Sequence, residues 1–350
     1  MRITTFLLQK AKSVEDIVGS YESLEDWERK IRDEWEENFT VEEGKEFSLA
    51  AVDGSCNKKV FSGYCIYAVG AVAVEFSDFE KEGELFIADV DILKPEEFSD
   101  ARIRILMGIL ENKVALKVLN EVDYLLLDGS LLASFVKPAV FDRRLENEER
   151  KRVEGIFEEL KEAFSLDGVN AKDFYGELEG IFDGIAFAAA SGYLEYLEYL
   201  YSLQLLLSQG SGKLIFVSKR SNSRNYEFDR ILPDVAVLNQ FRHLEGYTRP
   251  LVSSIPKEVK FRFPDMFEEF FRNFEFSVFL YKERNCPAFK IETLTSLTET
   301  LTVIRKYRIE GYPIPLKIAH DSVKIKKDDM EKVIYALKHR GISGREVLGE

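Results

Sequence analysis

The sequence predicts an α/β protein built on a mixed sheet with a helical insertion. Three observations carry that expectation. Short apolar runs of strand length, bounded by turn residues, alternate with longer stretches of helical periodicity. Two of those runs stop at the same three residues, Asp53-Gly54-Ser55 and Asp128-Gly129-Ser130. A mostly apolar helical stretch at 183–208 interrupts the strands, and no low-complexity linker divides the chain. The expected organisation is one domain over 1–350, with a helical segment at 1–45, a core with accessory strands at 46–135 and 212–340, and the insertion at 140–210.

The elements follow in order. Residues 13–40 read as helical because Trp27, Ile31 and Trp35 recur at i, i+4 and i+8. A strand at 46–52 leads into the first Asp-Gly-Ser. Residues 60–76 suggest two strands around a Gly turn, and 84–93 another strand. Ile103, Leu106, Met107, Leu110, Val114 and Leu119 mark the apolar side of a helix at 100–120. The second Asp-Gly-Ser strand occupies 122–128, and 143–165 is charged and helical. A strand at 213–218 runs into Lys219 and Arg220. The Phe-rich 258–283 alternates and is expected to form antiparallel strands, and 293–308 to form a helix. After Pro313 and Pro315, the run Leu316 to His320 reads as strand-like, and 327–340 as a final helix.

Composition narrows the function. Hydrophobic residues at 45% and charged residues at 31% describe a soluble globular chain, and 27 Phe with 15 Tyr supply a sizeable core. A net charge of −14 argues against a protein that coats nucleic acid over its whole surface, but not against a local basic groove. Cys56, Cys65 and Cys286 form no C-x-x-C pair, so a disulfide framework or zinc site is not expected and a reducing cytoplasm fits. The apolar run near Met1 is too short for a signal peptide. Asp183, Glu195 and Glu198 within the longest apolar region speak against a membrane span. Scarce glutamine beside abundant Glu and Lys leans toward a thermophilic source. The absence of a Gly-x-x-x-x-Gly-Lys-Ser/Thr loop counts against nucleotide-driven chemistry.

Asp53 and Asp128 carry the chemistry. An isolated Asp-Gly is most simply a turn, but two copies at the ends of neighbouring strands would set two carboxylates at one sheet edge. Hard divalent cations such as Mg²⁺ or Mn²⁺ take such oxygen ligands. Glu111 lies near the boundary of the apolar stripe on the helix before the second strand, within reach of that edge. Three carboxylates from strand, helix and strand are similar to the two-metal site of the ribonuclease H-like fold. There, two ions about 3.5–4 Å apart stabilise the attacking and leaving oxygens at phosphorus. A late fourth group is sought in the segment from Gly311 to Ser322, where His320 follows a strand-like run; His243 and His339 sit in charged surroundings.

With these motifs the chain resembles the NurA nuclease family. The resemblance rests on Ala51-Val52-Asp53-Gly54-Ser55, Glu111, Leu127-Asp128-Gly129-Ser130, and the late segment with Tyr312 and His320. It implies metal coordination by Asp53, Glu111, Asp128 and His320 with Tyr312 close by, and Asp321 stands as an alternative to His320. It also implies a manganese-dependent DNA nuclease with two ions, Mg²⁺ being the alternative metal, a homodimer, and docking on a HerA-like hexameric ATPase in DNA end resection. Exonuclease action on single- and double-stranded DNA, with endonuclease action on single strands, follows from the same resemblance. A catalytically silent DNA clamp or translocase adaptor on the same fold, and a phosphotransferase, are the alternatives. Lys219, Arg220 and Arg224 follow a strand of the same sheet and are the expected phosphate contacts. The Tyr and Leu faces of the 183–208 helix exceed what one core edge needs, which points to a dimer interface.

Overall fold

The structure is a computed structural model that describes residue 4 and residues 24–42, 44–135, 145–255 and 263–337. The sequence expectations for 13–23, 143–144, 258–262 and 338–340, and the start at Met1, lie outside the described residues. The chain forms two compact units, one from 1–39, 219–249 and 279–290, the other from 40–218, 250–278 and 291–350.

In chain order, helix α1 (Leu24–Glu34) and strand β1 (Trp35–Glu36) come first. Three long strands follow, β2 (Ser48–Phe61), β3 (Tyr64–Ser77) and β4 (Glu80–Leu93). Helix α2 (Ser99–Val118) leads to β5 (Tyr124–Asp128) and the short α3 (Leu131–Phe135). The helical stretch contains α4 (Asn147–Glu162), α5 (Tyr175–Glu179) and α6 (Gly184–Gln209), and closes on β6 (Leu214–Ser218). Then come α7 (Asp234–Leu238), β7 (Gly246–Thr248), β8 (Leu251–Ser254), α8 (Asp265–Arg272), β9 (Glu275–Lys282) and β10 (Ala288–Thr293). The chain continues through α9 (Leu297–Lys306), the small hairpin β11 (Arg308–Ile309) and β12 (Tyr312–Pro313), α10 (Ile314–Val323) and α11 (Lys327–Ala336).

In the smaller unit, Trp27, Ile31 and Trp35 pack with Phe228, Val237, Leu238 and Phe241, as their helical spacing predicts. The Trp27 indole N–H donates to Asp229 at 3.1 Å, so the buried polar edge of the ring is satisfied.

The larger unit is layered. Strands β4, β3 and β2 form an antiparallel meander, and β5 and β6 extend it in parallel from β2. Side chains alternate across a strand. Ala50 and Val52 of β2 and Leu125 and Leu127 of β5 enter the main core with α2 and α6. On the other face Phe61, Ile66 and Ala68 meet Met330 and Ile334 of α11.

Two expectations change here. The Phe-rich 263–274 is helical at α8, because Phe267 and Phe271 bury at i, i+4 spacing; only β9 behind it is a strand. Helix α6 is covered by α2, α4, α5 and α8, and its Tyr193, Tyr196 and Tyr199 are buried within the chain. Its apolar girth therefore fills this unit's own core and gives no argument for a dimer interface. No helix among the described residues is long and apolar enough to cross a membrane.

The charges on α6 are paired inward. Glu195 receives Arg102 of α2 in a two-pronged contact, Nε to Oε2 at 2.9 Å and Nη2 to Oε1 at 2.5 Å. Glu198 pairs with the buried Lys113 at 2.6 Å and also accepts the backbone N–H groups of Asn170 and Ala171. Buried charges persist only with such partners.

Candidate metal centre

The parallel ladder between β2 and β5 runs from Leu49 opposite Tyr124 to Val52 opposite Leu127. The next residue on each strand is Asp53 and Asp128. Because Val52 and Leu127 face the α2 core, alternation turns both carboxylates to the opposite face. The expected convergence at one edge is therefore present, but its cause differs in part. Asp53 does not end its strand, since β2 continues to Phe61 with Asp53 opposite Val72 of β3. The half-exposed, polar 54–60 conceals a strand whose apolar content is supplied by its partner. Gly54 is consequently not a turn residue. Gly129 is one, with φ of +121°, and it bends the chain directly after Asp128.

His320 reaches the same place from α10. The run Leu316 to His320 is helical rather than strand-like: Pro315 sits in the first turn, where its missing N–H costs nothing, and Leu316, Ala319 and Val323 bury at i, i+3 and i+7. His320 Nδ1 lies 2.8 Å from Asp53 Oδ2. One ligand atom each from Asp53, Asp128 and His320 lie within 4.8 Å of one another. Asp321, exposed at the next helix position, is not in this group.

The electrostatics suit a cation. Burial, and then the neighbouring Asp128, hold the Asp53 carboxyl above the usual carboxylate range; the hydrogen bonds from His320 and the Gly54 N–H act the other way. Two close carboxylates and an imidazole form a mixed oxygen and nitrogen donor set that fits Mn²⁺, and the excess negative charge would be relieved by a divalent ion. Tyr312 on β12 also faces this pair: burial first, then Asp128 and Asp53, push its phenol well above the usual range, so it stays a neutral hydroxyl.

Glu111 approaches from the other side of the sheet. A Cβ built on Gly54 would stand 2.3 Å from Glu111 Oε1 and 2.8 Å from its Cγ and Cδ. The carboxylate thus lies flat against β2 through the gap where Gly54 has no side chain. Burial, and then Glu111, raise the thiol pKa of Cys56 on the same face. Sequence reasoning picked out Glu111 and missed what Gly54 does for it, because Asp-Gly reads as a turn. The signal was present only in the pairing partner, a 14-residue apolar strand at 64–77.

Lys219, Arg220 and Arg224 open a segment of the smaller unit and are exposed. The Arg224 guanidinium donates to the backbone carbonyl of Arg230.

A family model of the NurA domain matches residues 47–325. The chain belongs to the NurA family. A probable DNA double-strand break repair nuclease NurA of Methanocaldococcus jannaschii is 29% identical, over 97% of this chain and 90% of that protein. The DNA double-strand break repair nuclease NurA of Sulfolobus acidocaldarius is 26% identical over 95% of this chain and 94% of its own length. Among solved structures, the NurA nuclease from Sulfolobus solfataricus superposes with a TM-score of 0.71 at 22% identity, covering 96% of this chain and 95% of that one. A NurA bound to dAMP and manganese also gives 0.71, at 19% identity over 99% of this chain and 98% of that one. At these identities the structural likeness speaks to the fold, and this α/β arrangement is that of the NurA structures.

Proposed function

We propose that the protein is a metal-dependent DNA nuclease acting in double-strand-break repair. The observation that carries this reading is the meeting of Asp53, Asp128 and His320 within 4.8 Å, in a chain of the NurA family. The antiparallel meander continued by parallel β5 and β6 supports a ribonuclease H-like core within one nuclease domain, with α4 to α6 as its helical insertion.

Manganese, with magnesium as the alternative, would supply Lewis acidity at the phosphodiester; two ions would stabilise both the attacking and the leaving oxygen. That a related NurA was solved with dAMP and manganese supports the choice of metal and substrate class. Asp53 and Asp128 would provide charged oxygen ligands and His320 a ring nitrogen. With Asp53 ionised, Nδ1 carries the proton toward Asp53 Oδ2 and leaves Nε2 as the free donor atom of the ring. Glu111 would complete the site from the far face of the sheet. Tyr312, kept neutral, would donate its hydroxyl proton to a phosphate or ligand oxygen rather than serve as a base.

The finer features belong to the same proposal. They are exonuclease action on single- and double-stranded DNA with endonuclease action on single strands, phosphate contacts by Lys219, Arg220 and Arg224, a homodimer, a HerA-like hexameric ATPase partner, and a cytoplasmic location. The test is digestion of end-labelled single- and double-stranded DNA with Mn²⁺, Mg²⁺ or EDTA. Cleavage is expected with Mn²⁺, none with EDTA, and none for Asp128→Asn. Wild-type cleavage by Asp128→Asn would overturn the assignment.

A further inference from the structure

We infer that Glu292 is a positioning residue for Asp128: its buried carboxylate holds the loop that begins at this ligand. The inference rests on the metal-nuclease reading above and names a part of the site that no sequence motif marks.

Glu292 lies on β10 and is 1% exposed. Its Oε2 accepts the backbone N–H of Leu131 at 2.7 Å, and its Oε1 that of Leu132 at 3.4 Å. These amides open α3, the short helix directly after Asp128-Gly129-Ser130. At a helix start such donors have no partner within the helix, and five residues cannot sustain a helix by themselves. The loop is held elsewhere too, by Leu131 and Phe135 buried in the main core and by the Tyr199 hydroxyl donating to the Ser134 carbonyl at 3.0 Å, but it is the Glu292 carboxylate that takes the first two amides after Ser130. The Gly129 N–H donates to the Val217 carbonyl at 3.0 Å, and the Ala133 N–H to Ser130 Oγ at 3.3 Å. Gly129 holds a positive φ that turns the chain directly beside Asp128. Asp128 is the last residue of β5, where the pairing with β2 has already ceased and only β6 remains alongside. What fixes the chain beyond it therefore fixes the angle at which its carboxylate meets Asp53 and His320.

A carboxylate is the group this job requires. It presents two acceptor oxygens to two donors, and charge-assisted bonds of this kind are about twice as strong as neutral ones. Glutamine has nearly the same shape but only one acceptor, so one of the two N–H groups would face an N–H₂.

The experiment compares full-length wild type, Glu292→Gln and Glu292→Ala, with Glu299→Gln as a control. Glu299 sits in the first turn of α9, accepts from the Ser296 and Thr295 hydroxyls, and meets β5 at Tyr124, the end of the strand opposite Asp128. Mn²⁺ affinity is measured by calorimetry, amide exchange over 129–134 in metal-free protein, and DNA cleavage against Mn²⁺ concentration. For Glu292→Gln the expectation is faster exchange at Leu131 and Leu132, Mn²⁺ affinity weaker by about 10-fold, and kcat restored at saturating Mn²⁺. The control should keep wild-type affinity. Accelerated exchange with unchanged Mn²⁺ affinity would reduce Glu292 to a structural tether and overturn the inference, as would unchanged exchange. If Glu292→Ala does not fold, Glu292→Gln decides. Failure of the wild type to bind Mn²⁺ would instead sink the metal-nuclease reading, whereas a wild type that binds beside an unaffected Glu292→Gln sinks only the role of Glu292.

Discussion

Replacing Gly54 with alanine should separate stability from activity. The added Cβ would stand 2.3 Å from Glu111 Oε1. Ordinary contact begins roughly 1 Å further out, given an optimal separation of about 3.5–4.0 Å. The obstacle is a flexible side chain, so Glu111 swings away and the backbone is expected to hold. The φ of Gly54 does not lie in the left-handed region, so alanine is conformationally acceptable there. Gly→Ala at a compatible site stabilises by about 0.4–1 kcal/mol through the unfolded chain. The thermal midpoint should therefore stay level or rise. A functional constellation tolerates only about 0.5 Å of misplacement, and under the proposed role of Glu111 at the metal centre, losing its orientation should weaken Mn²⁺ use by about 10-fold or more. The assay is cleavage of end-labelled duplex DNA across a Mn²⁺ titration, with circular dichroism as the fold control. The double variant Gly54→Ala, Glu111→Ala should be no worse than Glu111→Ala, since both remove the same contact. A Gly54→Ala protein with the wild-type Mn²⁺ profile would refute the placement of Glu111 in the site.

Three further outcomes are expected. Mn²⁺ at 100 times its dissociation constant should stabilise the fold by about 2.7 kcal/mol, visible as a higher melting midpoint; Asp53→Asn should lose that rise, and keeping it would remove Asp53 from the ligand set. His320→Ala should retain its midpoint and lose cleavage, while Asp321→Ala retains both; the reverse pattern would show that the wrong neighbour was chosen. Hydrogen bonds from Ser296, then Thr295, hold the Glu299 carboxyl down at about 2. A depressed carboxyl adds stability above its unfolded pKa and loses it as pH falls from about 4.3 toward 2, an amount near 1 kcal/mol once discounted for its exposure. The stability gap between wild type and Glu299→Gln should then shrink to under half between pH 6 and pH 3 in urea titrations; a constant gap would contradict it.

What was legible in the sequence follows from where each signal lives. Asp53 and Asp128 could be read because a parallel ladder ends where two apolar runs give way to the same polar tripeptide. Helix α2 could be read from its apolar periodicity, yet the face of the sheet that Glu111 meets could not, since that depends on pairing between distant strands. His320 lies beside Asp53 and Asp128 as expected, but on a helix where a strand-like run was read. Five residues, Leu316 to His320, cannot be told from little more than one turn of helix, and Pro315 suits a first helical turn as well as a loop. The Phe-rich segment failed the same way at α8. Helix α6 misled for the opposite reason: its Tyr and Leu faces looked more than one core edge needs, because the helices that cover it come from distant parts of the chain. Glu292 had no local signature at all.

The ion pairs of Glu195 with Arg102 and of Glu198 with Lys113 bear on the site in another way. Arg102 and Lys113 recur about three turns apart on α2, and Glu111 lies roughly opposite them on the helical wheel. Apolar side chains tolerate some rolling of a helix against its neighbour. A guanidinium fork on a carboxylate, with an ammonium one face-length further along, admits a single angle. The pairs thus act as an index mark for the roll of α2, and the carboxylate on its far side inherits that setting. Replacing all four charged groups with well-fitted hydrocarbon could leave melting unchanged or improved, as buried pairs elsewhere have shown. The cost would appear as a blurred aim of Glu111 at Gly54, so that robustness to heat and fidelity of the site would part company in a protein that still looks correctly folded.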